Sequence, residues 1–228
     1  LEGYGVKPPV TVIPTGIPLG RFAAPVSDAV LDGLRRRLGI PAENRILVYV
    51  GRLAKEKNLE ELLECRAALG RAPVTLLLVG DGPARPALEE RAAALGLAAP
   101  AAVFAGMAAP EEVPLYYRLG DVFVSASSSE TQGLTYLEAL AAGTPAVCRA
   151  DPCLAGVIEN GVNGWQYETG RERDEVLHRL LADEPLRAQL ARGAAASAAA
   201  FSEEAFGEKA LARYETQRAA KARQGGAV

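Results

Sequence analysis

Apolar residues along this chain fall into short continuous runs, separated by longer stretches in which they recur at helical spacing. The runs at 10–13, 46–50, 74–79, 102–104, 122–125, 146–148 and 164–167 show little alternation, the pattern of strands buried on both faces of a sheet. The stretches 27–38, 59–69, 84–95, 111–119, 134–142, 171–182, 185–200 and 203–223 read as helices. Strand and helix alternate as far as about Arg171, and only helices follow. This order predicts an α/β fold, a doubly wound, Rossmann-like parallel sheet with right-handed crossovers and a helical C-terminal tail. Ser202-Glu-Glu supplies an N-cap and an acidic first turn for the last helix. Gly51, Gly80, Gly106 and Gly133 stand at strand ends or in the loops beyond them, where such sheets bind ligands.

Composition narrows the class. With 228 residues and 49% of them apolar, the chain can bury a substantial core in one large domain or two small ones. A net charge of −3, with Lys and Arg spread along the chain, argues against a nucleic-acid partner. No apolar run approaches membrane-spanning length. The first residues do not read as a signal peptide, and Leu1 in place of Met reads as the start of a fragment. Cys65, Cys148 and Cys153 form no paired ligand sites, so they are expected as buried small residues in a reducing cytoplasm. His178 is the only histidine, and no metal site is expected.

The segment Ser125-Ala-Ser-Ser-Ser-Glu130-Thr-Gln-Gly133-Leu-Thr-Tyr-Leu-Glu138-Ala-Leu-Ala-Ala-Gly143-Thr-Pro145 carries the densest chemistry. It leaves a buried strand through a polar loop and opens a helix at about Gly133–Leu134. Free N–H groups and the positive end of the dipole there can hold a phosphate. Glu130 before that start and Glu138 two turns inside the helix are acceptors for sugar hydroxyls. Sugar, phosphate and second sugar in a row describe a nucleotide-sugar. Gly51-Arg52 ends another strand, with Lys57 five residues on. Alone they suit a solvated basic loop, but beside the two glutamates they suit a diphosphate, Arg as a fork and Lys as a point charge. Gly80-Asp-Gly82-Pro-Ala-Arg85 half-matches a dinucleotide fingerprint, with Arg85 in place of the third Gly. The simpler reading is a tight strand-to-helix turn with Pro83 in the first helical turn. Phe104-Ala-Gly106-Met107 ends another strand in an ordinary turn.

Six motifs in one order carry a resemblance: Val12-Ile-Pro-Thr-Gly16-Ile, Gly51-Arg52-Leu-Ala-Lys55-Glu-Lys57-Asn58, Val79-Gly-Asp-Gly-Pro83, Phe104-Ala-Gly106, the glutamate pair with Ala-Leu-Ala-Ala-Gly-Thr-Pro, and Glu159-Asn-Gly-Val-Asn-Gly164. Together they resemble the retaining glycosyltransferases of family 4, whose GT-B fold sets two Rossmann-like domains face to face. The resemblance implies that this chain is the C-terminal, donor-binding domain. Residues 1–15 would then cross between domains, 16–200 bind the nucleotide-sugar, and 201–228 form a C-terminal helix. It assigns Arg52 and Lys57, with Gly51, to the donor diphosphate, Glu130 to the transferred sugar and Glu138 to the ribose. Gly133 and Leu134 present amides to the phosphate, and Gly16 admits it through lack of a Cβ. Gly80 and Gly82 line the donor cleft, and the backbone at Met107 meets the base.

The implied donor is a nucleoside-diphosphate sugar, UDP-linked in preference to GDP-linked, with no cofactor or metal. The implied activity is hexosyl transfer, with Glu130, Arg52 and Lys57 acting on the reacting groups. Glu-Thr-Gln-Gly departs from the family's commoner Glu-Gly/Pro-Phe-Gly, placing Gln132 where an aromatic usually stands, and resembles bacterial enzymes that glucosylate lipid or small acceptors. A missing N-terminal acceptor-binding domain is implied, and through it a membrane-surface acceptor. The isolated fragment is accordingly expected to be inactive. The rival readings are a non-catalytic nucleotide-binding module and, more distantly, a nicotinamide-binding domain reading 80–85.

Overall fold

A computed structural model of the chain describes residues 5 and 11–225. Six strands, β1 (Arg45–Val50), β2 (Val74–Val79), β3 (Ala102–Gly106), β4 (Val122–Ser125), β5 (Ala146–Arg149) and β6 (Gly164–Tyr167), form one sheet in the order β3-β2-β1-β4-β5-β6. Every neighbouring pair is parallel. This is the doubly wound Rossmann-like order.

The helices are α1 (Leu19–Ala23), α2 (Asp28–Arg37), α3 (Leu59–Ala68), α4 (Arg85–Ala94), α5 (Val113–Leu119), α6 (Leu134–Ala141), α7 (Gly170–Ala182), α8 (Glu184–Ala198) and α9 (Glu203–Gly225). They cover the sheet from both sides because successive side chains of a strand point to opposite faces. Ile46, Val48 and Val50 of β1 pack with Phe123 and with Tyr117, Tyr136 and Leu140 of α5 and α6. Leu47 and Tyr49 pack on the other face with Leu63 of α3, Leu88 of α4 and Leu177 of α7. The central strands β1, β2 and β4 thus bury both their faces, which is why their sequences are nearly continuous apolar runs, whereas the edge strands β3 and β6 are only partly buried.

Seven strands were expected and six are found among the described residues. Val10 lies outside the described residues, and 11–13 are irregular. The next segment instead ties to the chain's other end: the Ile17 amide donates to Phe201 O at 3.0 Å. The five-residue α1 is too short for periodicity to reveal. Helix α4 begins two residues beyond Pro83 and takes Pro86 into its first turn, where the missing N–H costs nothing. The Ser202 cap on α9 is present, its hydroxyl accepting from the Ala205 amide at 3.0 Å. Along α9, Phe206, Leu211 and Tyr214 are exposed. Among the described residues no helix is long and apolar enough to cross a membrane.

Candidate functional site

The strand order reverses between β1 and β4. Crossovers from these two neighbours leave in opposite directions, so a crevice opens outside their carboxyl ends. A cavity of ≈ 230 Å³ occupies this place, lined among others by Tyr49, Gly51, Arg52, Lys57, Glu130 and Gly133. A second hollow of ≈ 390 Å³ shares Val50, Gly51 and Arg52 with it and is walled by Gly80, Met107 and Val113. The cleft thus gathers Gly51, Arg52, Lys57, Gly80, Met107, Glu130, Gly133 and Leu134, residues spread over 84 positions of sequence, from 51 to 134.

Local backbone chemistry shapes its floor. Gly80 sits at φ 130, and a Cβ there would collide with the Gly51 carbonyl. Only glycine lets the exits of β1 and β2 run this close. Gly133 at φ 63 is the N-cap residue of α6, and no side chain caps that helix start. Its first amides therefore keep their hydrogen-bonding capacity for a guest. Residues Lys55–Lys57 make one 3₁₀ turn that ends in Asn58 at φ 50, a left-handed position that Asn tolerates better than most. The Asn58 side-chain amide donates to Glu61 Oε2 at 2.7 Å, which fixes the turn carrying Lys57.

The cleft's charges are paired. Lys57 Nζ donates to Glu130 Oε1 at 2.8 Å, their side chains only 22% and 11% exposed. The Glu130 amide donates to Asp151 Oδ2 at 3.3 Å, and Asp151 Oδ1 accepts from the Cys153 amide at 2.9 Å. These amide contacts, that from Cys153 foremost, hold the Asp151 carboxyl below its ordinary value. Three loops, at 55–57, 126–133 and 151–154, are linked through these contacts. Arg52 also lines the cleft, its guanidinium bound by Glu56 and 67% exposed. Lys57 is therefore the sheltered cation of the cleft, and Arg52 an outer one.

Glu138 does not line the cleft. It stands one turn along α6 from Leu134 and accepts from the Tyr117 hydroxyl of α5 at 2.8 Å. Burial raises its carboxyl above the usual value, and the Tyr117 bond partly offsets this. Burial also raises Tyr117 well above its ordinary range, so this hydroxyl is a fixed donor. A partner for Glu138 was expected in a ribose; within the protein the partner is a tyrosine.

Two further expected residues, Gly16 and Gly82, also fall outside the lining of the cleft. Gly16 was expected at the phosphate, but its missing Cβ makes room for α9 instead: a Cβ there would stand 2.6 Å from Ser202 O and 2.9 Å from Phe206 Cβ. Gly82 fits beneath the Leu53 carbonyl, so its lack of a side chain serves the turn.

Sequence reasoning missed Asp151, although an Asp before Pro152 and a 3₁₀ turn is a recognisable cap. It also missed Tyr49, whose hydroxyl donates to Arg52 O at 3.1 Å, and Glu61. The Glu61 carboxylate accepts from Tyr167 and Arg173, both at 2.9 Å, from Asn58 and from Arg149. Nothing local in Leu59-Glu-Glu-Leu-Leu-Glu separates Glu61 from its exposed neighbours.

A family model, Glycosyl transferases group 1, matches residues 32–197. The alpha-monoglucosyldiacylglycerol synthase of Streptococcus pneumoniae is 41% identical over 170 residues, which are 73% of this chain and 38% of that protein. The protein of the same name from Acholeplasma laidlawii is 32% identical over 190 residues, 82% of this chain and 48% of that one. The chain thus spans less than half the length of these two relatives. Among solved structures, Anabaena Alr3699/HepE in complex with UDP superimposes with a TM-score of 0.81, covering 90% of this chain and 57% of that one at 24% identity. At that identity the likeness speaks for the fold.

Proposed function

The chain belongs to the glycosyl transferases group 1 family, and from that premise we propose that its cleft is the donor site of a retaining, GT-B hexosyltransferase that moves sugar from a nucleoside diphosphate to an acceptor hydroxyl. One observation carries the reading most directly. A sheltered cation, Lys57, a carboxylate, Glu130, and the uncapped start of α6 converge in one crevice at the topological switch point. A diphosphate asks for a cation and free amides, and a hexose asks for a carboxylate acceptor.

When sugar leaves the nucleoside diphosphate, negative charge grows on the distal phosphate. Lys57, with Arg52 at the rim, and the Gly133–Leu134 amides are preorganised to stabilise that charge. Glu138, half-buried just beyond the two hollows and held from behind by the buried Tyr117, is the acceptor for the ribose hydroxyls, and the Gly106–Met107 backbone meets the base. Retention follows from attack on the face the phosphate leaves, the departing oxygen taking the acceptor proton. UDP is the favoured nucleotide, in keeping with the UDP complex of the Anabaena protein. The name of the two relatives speaks of a glucosylated diacylglycerol, and a lipid hydroxyl at a membrane surface, met from the cytoplasm, is the acceptor class proposed. The 228 residues alone are expected to bind donor and transfer little sugar, since this cleft is one wall and well-oriented proximity to the acceptor can supply about 7–11 kcal/mol of a barrier.

Thermal unfolding against UDP, UDP-glucose, a GDP-sugar and NADH tests the donor reading. Donor at a hundred times its dissociation constant should add about 2.7 kcal/mol of stability. Stabilisation by NADH and by no nucleoside-diphosphate sugar would replace this reading with a nicotinamide site.

A further inference from the structure

The Glu130 carboxylate is held at both ends. Its backbone amide is tied to Asp151, and its side chain, 11% exposed, ends on the Lys57 ammonium. No other side chain among the described residues donates a hydrogen bond to it. A diphosphate that takes Lys57 must draw on the charge that now satisfies Glu130. It also brings negative charge beside a carboxylate that is only 11% exposed and so little compensated by water. A sheltered carboxylate stripped of its partner is costly. A sugar on the distal phosphate changes the account, because its hydroxyls are donors and can take the place of Lys57 on Glu130. The same diphosphate without sugar brings no such donor.

We propose that Glu130 is a specificity-determining residue that sets the cleft against a bare nucleoside diphosphate and in favour of the sugar-bearing one. The proposal rests on the donor-site reading above and deepens it. Lys57 binds either ligand; Glu130 raises the cost of binding for the one lacking hydroxyls. Specificity of this kind is a difference of two affinities, obtained by penalising the unwanted ligand as well as by attracting the wanted one. Its consequence is release: once sugar has gone, Glu130 recaptures Lys57 and the spent nucleotide loses its grip on the ammonium.

Calorimetry with UDP and with UDP-glucose, on the wild type and on Glu130→Gln, tests this. The wild type should bind UDP-glucose more tightly than UDP. Glu130→Gln removes the penalty, so UDP should bind roughly two- to fivefold more tightly, a factor on the scale of one modest ion pair, and the preference for UDP-glucose should shrink. Glu130→Ala carries the same expectation and stands in if the Gln variant unfolds. A wild type that binds both ligands, with variants whose UDP affinity is unchanged or weaker, overturns this proposal alone. A wild type that binds neither overturns the donor-site reading and this proposal with it.

Discussion

Lys57→Ala and Arg52→Ala are expected to behave differently, although sequence spacing gives the two cations equal standing. Lys57 is sheltered in the cleft, 22% exposed, and one charge-assisted contact from it to a phosphate oxygen is worth about 1.5–3 kcal/mol. Its loss should weaken UDP by roughly 10- to 150-fold. Arg52 is 67% exposed and already bound to Glu56. Its contact with phosphate is screened and must displace that partner, which puts it in the range of an exposed ion pair, about 0–1 kcal/mol, or at most roughly fivefold. Titration calorimetry with UDP and with uridine measures both, uridine serving as the ligand that neither side chain should notice. Lys57→Ala also leaves Glu130 without its cation, so the fold should lose stability. Adding Glu130→Gln should recover that stability without recovering UDP affinity, which separates binding from folding. Equal losses for the two single variants, or losses for uridine as large as for UDP, would refute the assignment of Lys57 to the diphosphate.

Other outcomes follow from individual contacts. Glu138 has its carboxyl raised by burial, so its protonated form favours the fold, and that contribution is present below about pH 4.5 and lost as pH rises through the folded value. Glu138→Gln should therefore gain stability over wild type at pH 7, with the gap closing near pH 4 in urea unfolding, while losing affinity for uridine; a gap that widens in acid would contradict this. Gly80→Ala should destabilise by about 2–4 kcal/mol through collision with the Gly51 carbonyl and positive-φ strain, whereas Gly33→Ala, in α2 with nothing within 4 Å, should stabilise by about 0.5–1 kcal/mol; thermal melts of both check the sign. Glu61→Ala should cost about 1–3 kcal/mol in urea unfolding, because the Tyr167 hydroxyl and Arg173 lose that acceptor while Arg173 keeps Asp174.

Elements were legible where their cause is local. The central strands β1, β2 and β4 appear in sequence as nearly continuous apolar runs because crossover helices cover both faces, and burial on both faces is a property of each short segment. The run at 10–13 has the same composition, yet its described residues, 11–13, are irregular. Apolarity states that a segment can be buried and leaves open what it is buried against. The helix start at Gly133 was legible for the same local reason, since a Gly before a long apolar-periodic stretch marks a boundary. The turn at 80–82 was read correctly as tight, while Pro83, expected in the first helical turn, lies two residues before α4, where Pro86 takes that place.

Side-chain partnerships were legible only where they stayed within a few residues. Lys57 and Glu130 are 73 positions apart, and each has an obvious solvent-exposed reading alone. The motif order brought both to the cleft, yet the bond between them follows from the reversal of strand order at β1 and β4, a property of the whole sheet. Arg52 is the opposite case, because Glu56 lies four residues on and binds it locally. Gly16 and Gly80 show the limit most sharply. Both are glycines beside motif residues, and both lack a Cβ because another backbone passes close by. For Gly80 that backbone is Gly51, at the cleft; for Gly16 it is the start of α9. A sequence can report that a close approach occurs at a glycine, but the identity of what approaches is a long-range fact. The cleft's chemistry depends on such facts: the cation that meets the phosphate, and the carboxylate that must release it first, are chosen by the meeting of two loops.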